Sequence, residues 1–120
     1  MKIAITSNGR TLESPVDPRF GRAAFFIIVD AEGGAFEAHD NAQNLNAAQG
    51  AGIQAAETVS RLGAEVVLTG HCGPKAFRAL QAAGIKIVVG VEGTVKEAAE
   101  RYRRGELCPA SAPDVMGHSG

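Results

Sequence analysis

The chain has 120 residues, 45% of them hydrophobic, which suffices for one domain with an ordinary buried core and not for two. A formal net charge of -1, with one Tyr and five Phe, excludes the basic, aromatic-rich face of a general nucleic-acid binder. No secretory leader pattern and no apolar run long enough to span a bilayer is visible, so the expectation is a soluble, cytoplasmic protein without membrane contact.

In chain order, Lys2–Ser7 reads as a first strand, with Ile3 and Ile5 alternating against Lys2, Ala4 and Thr6. It ends at the Asn8-Gly9 turn signal. Residues 8–22 form a long loop that sets Arg10, Arg19 and Arg22 against Glu13 and Asp17. Long ordered loops in compact domains are often functional, although a solvated surface loop is the plainer reading. Strands over residues 23–29 and 35–39 flank Asp-Ala-Glu-Gly-Gly, which predicts an antiparallel hairpin. Phe25 to Val29 is continuously apolar, as in a strand covered on both faces, whereas Phe36-Glu37-Ala38-His39 alternates like an edge strand with His39 in solvent.

Residues 40–46 are polar and rich in asparagine, and one asparagine is expected to cap a helix over residues 47–62 that packs through Ile53, Ala56, Val59 and Leu62. Gly50 and Gly52 fall in its first turns, where each costs about 1 kcal/mol relative to alanine. Such a cost points to close backbone approach, to a ligand or to the sheet.

The chain is organised around residues 65–77. An apolar run of strand composition breaks at Gly70, and a helix then begins at Pro74, carries Ala76, Phe77, Leu80 and Ala83 at helical spacing, and stops at Gly84. A strand that feeds a glycine-rich turn and a helix N-terminus directs N–H groups out of the carboxyl edge of a sheet, where open α/β folds bind ligands. Into that turn the sequence places His71, Cys72 and Lys75. Residues 85–89 form a further strand, parallel to its predecessor, with Gly90 and Gly93 at its exit. Thr94-Val95-Lys96-Glu97 is a capping box that opens a last helix, with Val95, Ala98 and Tyr102 on one face and Gly105 as its stop. Arg101, Arg103 and Arg104 complement its dipole. The reading is thus one domain over residues 1–105 and a flexible tail over 106–120, in which Cys108 and His118 are incidental.

These elements make one mixed sheet with helices on its faces. Strand exits at Ser7, Gly70 and Gly90 are expected to converge on one rim, which becomes locally cationic although the whole chain is not. Arginines beside a helix N-terminus bind anions. Two-metal phosphoryl transfer is disfavoured, because the first strand offers no carboxylate, and neither a P-loop nor a GxGxxG after a strand is present. Cys72 and Cys108 form no CxxC pair, against structural zinc or a disulfide. Cys72 itself is open to three readings: a thiolate nucleophile, a soft-metal contact or a packed core residue. His71 divides between ligand-facing and solvent-facing. No second histidine or acid is placed to complete a triad, so an enzyme is not expected.

The residues Asp17-Pro18-Arg19-Phe20-Gly21-Arg22-Ala23 with Phe26, the 44–52 segment, Gly70 with Gly73-Pro74-Lys75-Ala76, Gly84-Ile85 leading to Gly90, and Gly105-Glu106-Leu107 together resemble the dinitrogenase iron-molybdenum cofactor-binding family. The resemblance spans residues 1–107 and is strongest to its orange-protein branch from sulfate-reducing bacteria. It implies a ribonuclease H-like α/β fold with a five-stranded mixed sheet whose second strand runs antiparallel. It also implies a noncatalytic carrier of an anionic cluster: a molybdenum-copper sulfide cluster held without covalent attachment, or else the iron-molybdenum cofactor or an iron-sulfur precursor. A metal-free regulatory module is a further alternative, with MinD-type ATPases as possible partners and a monomer or weak dimer as the assembly. The site residues so implied are Arg10, Arg19, Phe20, Gly21, Arg22, Gly70, His71, Cys72, Gly73 and Lys75, with Cys72 and His71 as candidate metal contacts. Arg19 and Arg22 stand where some relatives carry histidine, which suits electrostatic retention more than imidazole ligation.

Overall fold

The computed structural model describes residues 1–41 and 50–113. Its elements are β1 (Lys2–Ser7), β2 (Phe25–Asp30), β3 (Phe36–Asp40), α1 (Ala51–Arg61), β4 (Val66–Leu68), α2 (Pro74–Ala82), β5 (Lys86–Val88) and α3 (Val95–Arg103). One five-stranded sheet runs in the order β3-β2-β1-β4-β5. β2 is antiparallel to β1 and to β3, while β1, β4 and β5 are mutually parallel. This is the mixed α/β sheet, second strand reversed, that the ribonuclease H-like expectation describes.

Both faces of β1 are buried, so alternate residues feed two cores. Ile3 and Ile5 join Ile27, Val29, Val66, Leu68 and Val88 beneath α3, which contributes Val95, Ala98 and Ala99. Ala4 points the other way, with Phe26, Ile28, Val67 and Ile87, against α1 and α2. Burying each large aliphatic or aromatic side chain contributes about 1.5–3 kcal/mol, which holds both helical layers to so short a sheet. α1 meets the sheet through Ala55, Ala56 and Val59, and α2 through Ala76, Phe77 and Leu80. The small residues let the two helices lie close together.

Gly84 at φ +76° and Gly105 at φ +77° follow α2 and α3 as expected, since a left-handed residue ends a helix without a Cβ clash. The start of α1 differs from the expectation. Its N-cap is Gly50, in extended conformation and without a side-chain cap, so Gly50 carries no helix-interior cost. The expected start at residue 47 and most of the asparagine-rich segment lie outside the described residues. Asn41 is turned elsewhere: its Nδ2 donates to Gly21 O at 3.2 Å and to Ala23 O at 2.8 Å.

The segment read as a flexible tail also differs over its first part. Leu107 packs in the α3-side core and Ala110 in the opposite one, and Ala110 N donates to Ile87 O at 2.7 Å. Residues 106–113 therefore cross the outer edge of β5, where an unpaired strand carbonyl and two apolar surfaces reward docking. Cys108 is exposed there, and His118 lies outside the described residues. Among the described residues no helix is long and apolar enough to cross a membrane.

Candidate functional site

Because β1, β4 and β5 are parallel, their carboxyl ends share one rim, and the Phe25↔Asp40 end of the β2–β3 ladder reaches it too. The 8–22 loop is tied down along this rim. Asp17 N donates to Thr6 O at 2.9 Å, and Thr6 Oγ1 donates back to Asp17 O at 2.7 Å while lying 2.9 Å from Thr69 Oγ1. Val16 N donates to Gly93 O at 2.9 Å, and Gly90 N to Gly70 O at 2.8 Å. The convergence of three strand exits expected from the sequence is thus present.

The next part of the loop is joined to the turn after β4. His71 N donates to Pro18 O at 2.7 Å and Phe20 N to His71 O at 3.1 Å, a one-step parallel bridge. Gly70 permits this: a Cβ there would stand 2.7 Å from Pro18 Cα. Farther along, a Cβ on Gly21 would meet Gly52 N at 2.8 Å, and one on Gly52 would meet Ala76 Cβ at 2.9 Å. The close approach that Gly52 signalled is therefore to the loop and to α2.

Between loop, α1 and α2 lies a cleft of about 420 Å³ lined by Phe20, Gly21, Arg22, Ala51, Gly52, Gly73, Pro74, Lys75 and Ala76. Two helix N-termini open onto it. Gly50 caps α1 at φ -75° and Gly73 caps α2 at φ -72°, neither with a side-chain cap. A Cβ at either glycine would meet nothing within 4 Å among the described residues, so neither is required by packing. Each helix end carries roughly half a positive charge. Arg22 and Lys75 add two full ones, and no carboxylate is among the lining residues. Such a concavity binds an anion through charge and backbone amides.

Five of the ten expected site residues, Phe20, Gly21, Arg22, Gly73 and Lys75, line this cleft. Phe20 is buried, with its ring 5.7 Å from that of Phe26. Gly70 and the exposed His71 stand just behind, in the turn that braces the loop. Arg19 lies beside Asp17, its Nε 3.7 Å from Oδ1, and outside the lining. Arg10 is farther along the rim, ion-paired to Asp40 at 2.8 Å with its guanidinium 4.7 Å above the Phe25 ring. Cys72 is 1% exposed, packed in the core between the sheet and α1 and α2, with Sγ 3.8 Å from Gly73 O. Cys72 and His71 thus face different surroundings, and no group of three or more His, Cys, Asp or Glu is gathered for a metal among the described residues. Ala51, Pro74 and Ala76 were not singled out as site residues by sequence; the only signal for the first was Gly50-Ala51-Gly52.

The sequence profile described as dinitrogenase iron-molybdenum cofactor matches residues 1–105. The chain belongs to that family. Among solved structures, this family member is similar to the apo form of the orange protein from Desulfovibrio gigas, at 48% identity, TM-score 0.90, and coverage of 95% of this chain and 96% of that one. It is also similar to a candidate NifB protein from Thermotoga, at 35% identity, TM-score 0.75, and coverage of 90% and 91%. An uncharacterized protein of Methanocaldococcus jannaschii is 27% identical over 109 residues, 89% of either chain. The segments that line the cleft, residues 20–22, 51–52 and 73–76, all fall inside the stretch that matches the family.

Proposed function

We propose that the protein is a noncatalytic carrier whose cargo is an anionic molybdenum-copper sulfide cluster, held without covalent attachment in the cleft between α1 and α2. The observation that carries this reading is the meeting of two helix N-termini whose cap residues are glycines with Arg22 and Lys75, in a cleft with no carboxylate among its described lining residues. The 48% identity to the orange protein supports the choice of cargo.

The residues present fit such a guest. A cleft of about 420 Å³ is within the range of small-ligand sites. Thiometallate sulfides are soft, diffuse acceptors, matched by the delocalised guanidinium of Arg22 and by amides at the helix ends. Lys75 supplies compact charge, while Phe20 and Pro74 exclude water and strengthen both interactions. The Cys72 thiol would have to leave the core to reach copper, so retention is assigned to charge and amides. His71 and Arg19 stand outside this contact set. The cleft selects for charge and size more than for metal identity, and the family's description with the likeness to a candidate NifB protein favours iron-molybdenum cofactor as the second reading.

The test is titration of apoprotein with tetrathiomolybdate and copper(I), followed by visible spectroscopy and metal analysis after gel filtration. Molybdenum and copper co-eluting with the protein in a fixed ratio is the expected result. Retention of an iron-molybdenum species instead would move the assignment to the second reading, and no retained metal of either kind would overturn both.

A further inference from the structure

Asp17 is the only buried carboxylate among the described residues, and it sits on the loop that builds one wall of the cleft. Its side chain is 4% exposed, whereas that of Arg19 is 66% exposed. The main chain of Asp17 is already fixed by its two hydrogen bonds with Thr6, so the carboxylate is not needed to hold the residue in place. That carboxylate is spent on Arg19: Oδ1 accepts from Arg19 N at 3.0 Å and stands 3.7 Å from Arg19 Nε. Arg19 itself is outside the cleft lining, which takes its arginine from position 22.

A buried negative charge on the loop that carries part of an anion site opposes binding, and low-dielectric surroundings extend its reach. We propose that Arg19 is the counter-charge of Asp17 and serves anion binding by cancelling that carboxylate, without touching the anion. The binding half of this inference rests on the carrier reading above; the pairing of Asp17 with Arg19 does not. The same logic explains why Arg19, which like Arg10 lies outside the cleft lining, is not idle. Its removal leaves the carboxylate with a backbone N–H as its remaining partner, a state that costs both stability and anion affinity.

A double-mutant cycle decides between counter-charge and direct contact. Asp17→Asn keeps the shape and the Oδ1 acceptor for Arg19 N while removing the charge. With tetrathiomolybdate and copper(I) as the probe, Arg19→Ala should weaken cluster retention roughly fivefold to tenfold at low salt, a loss that shrinks as ionic strength rises. Asp17→Asn alone should tighten retention by a similar factor, and Asp17→Asn with Arg19→Ala should return it to the parental level, because the two charges are then removed together. A double variant that retains cluster well below the parent would mean that Arg19 touches the anion and would overturn the proposal. Arg19→Lys provides a second route that leaves Asp17 untouched: charge cancellation predicts retention within about twofold of the parent, whereas a planar contact predicts most of the Arg19→Ala loss. Thermal melting of the same variants without metal separates the two readings. A melting loss for Arg19→Ala that vanishes in Asp17→Asn supports the pair even if the parent binds no cluster; equal melting losses in the two backgrounds contradict it.

Discussion

The N-terminus of α3 and those of α1 and α2 meet the same problem, a first turn of amides without helical partners, in opposite ways. At α3, Thr94 Oγ1 accepts from Glu97 N at 3.1 Å and the Glu97 carboxylate accepts from Thr94 N at 2.8 Å, so the helix end is closed by its own side chains. At α1 and α2 the capping residue is glycine, with open space where a side chain would stand. Glycine is only a few tenths of a kcal/mol poorer than serine or threonine as an N-cap, so placing it there costs little stability. Position in the fold accounts for the choice. The two glycine-capped ends face the cleft beside Arg22 and Lys75, whereas the closed end is joined by backbone hydrogen bonds to the 12–16 segment. Where the chain needs a fixed start to a helix it places a capping box, and beside the electropositive cleft it places glycine at the cap position.

That contrast can be broken from either side. The largest effect is expected from reversing the charges that accompany the glycine-capped ends. Arg22→Glu together with Lys75→Glu should reduce cluster retention roughly a hundredfold or more, with far-UV circular dichroism unchanged, because both side chains are exposed. Retention at the parental level would remove the charge argument for the cleft. Next in size, Gly73→Asp should give α2 the kind of cap that α3 has. The backbone already has a permitted φ and the Cβ has room, so melting should shift by a degree or two at most while retention falls about tenfold. A variant as competent as the parent would show that this helix end is not used.

Changes at the closed end should do the reverse. Thr94→Ala should cost about 1 kcal/mol, read as a melting point lower by a few degrees, and leave the metal-to-protein ratio untouched. A drop in that ratio would mean that the two classes of helix end are not functionally separate. The smallest effect is in the pH dependence. The Thr94 backbone N–H, and then the Thr94 hydroxyl, hold the Glu97 carboxyl below its ordinary value of 4.5. A carboxyl lowered in the folded state stabilises the fold above its unfolded pKa and loses that contribution as pH falls through the folded value. Glu97→Gln should therefore be less stable than the parent at neutral pH, with the gap narrowing as pH falls below 4.5. Parallel urea denaturation at pH 7 and pH 3 checks this, and a gap independent of pH would show that the charge plays no part.

Much of this arrangement was legible in the chain because its signals are local. The bounds of β1, the capping box at Thr94, and the glycines at 84 and 105 each depend on a few residues, and the structure has them as read, whereas the alternation in β1 hides that Ala4 and Thr6 are as buried as Ile3 and Ile5. The convergence on one rim followed from parallel crossovers, which constrain distant elements without knowledge of side chains. What could not be read was which face a rim residue takes. Cys72 follows a glycine turn that looks exposed, yet its side chain falls on the core side, and Arg10 is drawn off by Asp40 and Phe25, residues of the hairpin that sequence distance hides. The start of α1 was read too early: the described helix begins after Gly50, inside what read as its first turns, while the asparagines at 44 and 46 lie outside the described residues.

The segment after α3 gives the sheet an unequal pair of margins. With residues 106–113 laid over β5, the strand edge left without a partner among the described residues is the outer one of β3, which carries Glu37, His39 and Asp40. A sheet with two bare margins is a bifunctional monomer and can polymerise; a sheet with one is a chain terminator, able to pair once and then stop. Among the described residues, the C-terminal segment thus removes one of the two margins through which such a sheet could pair.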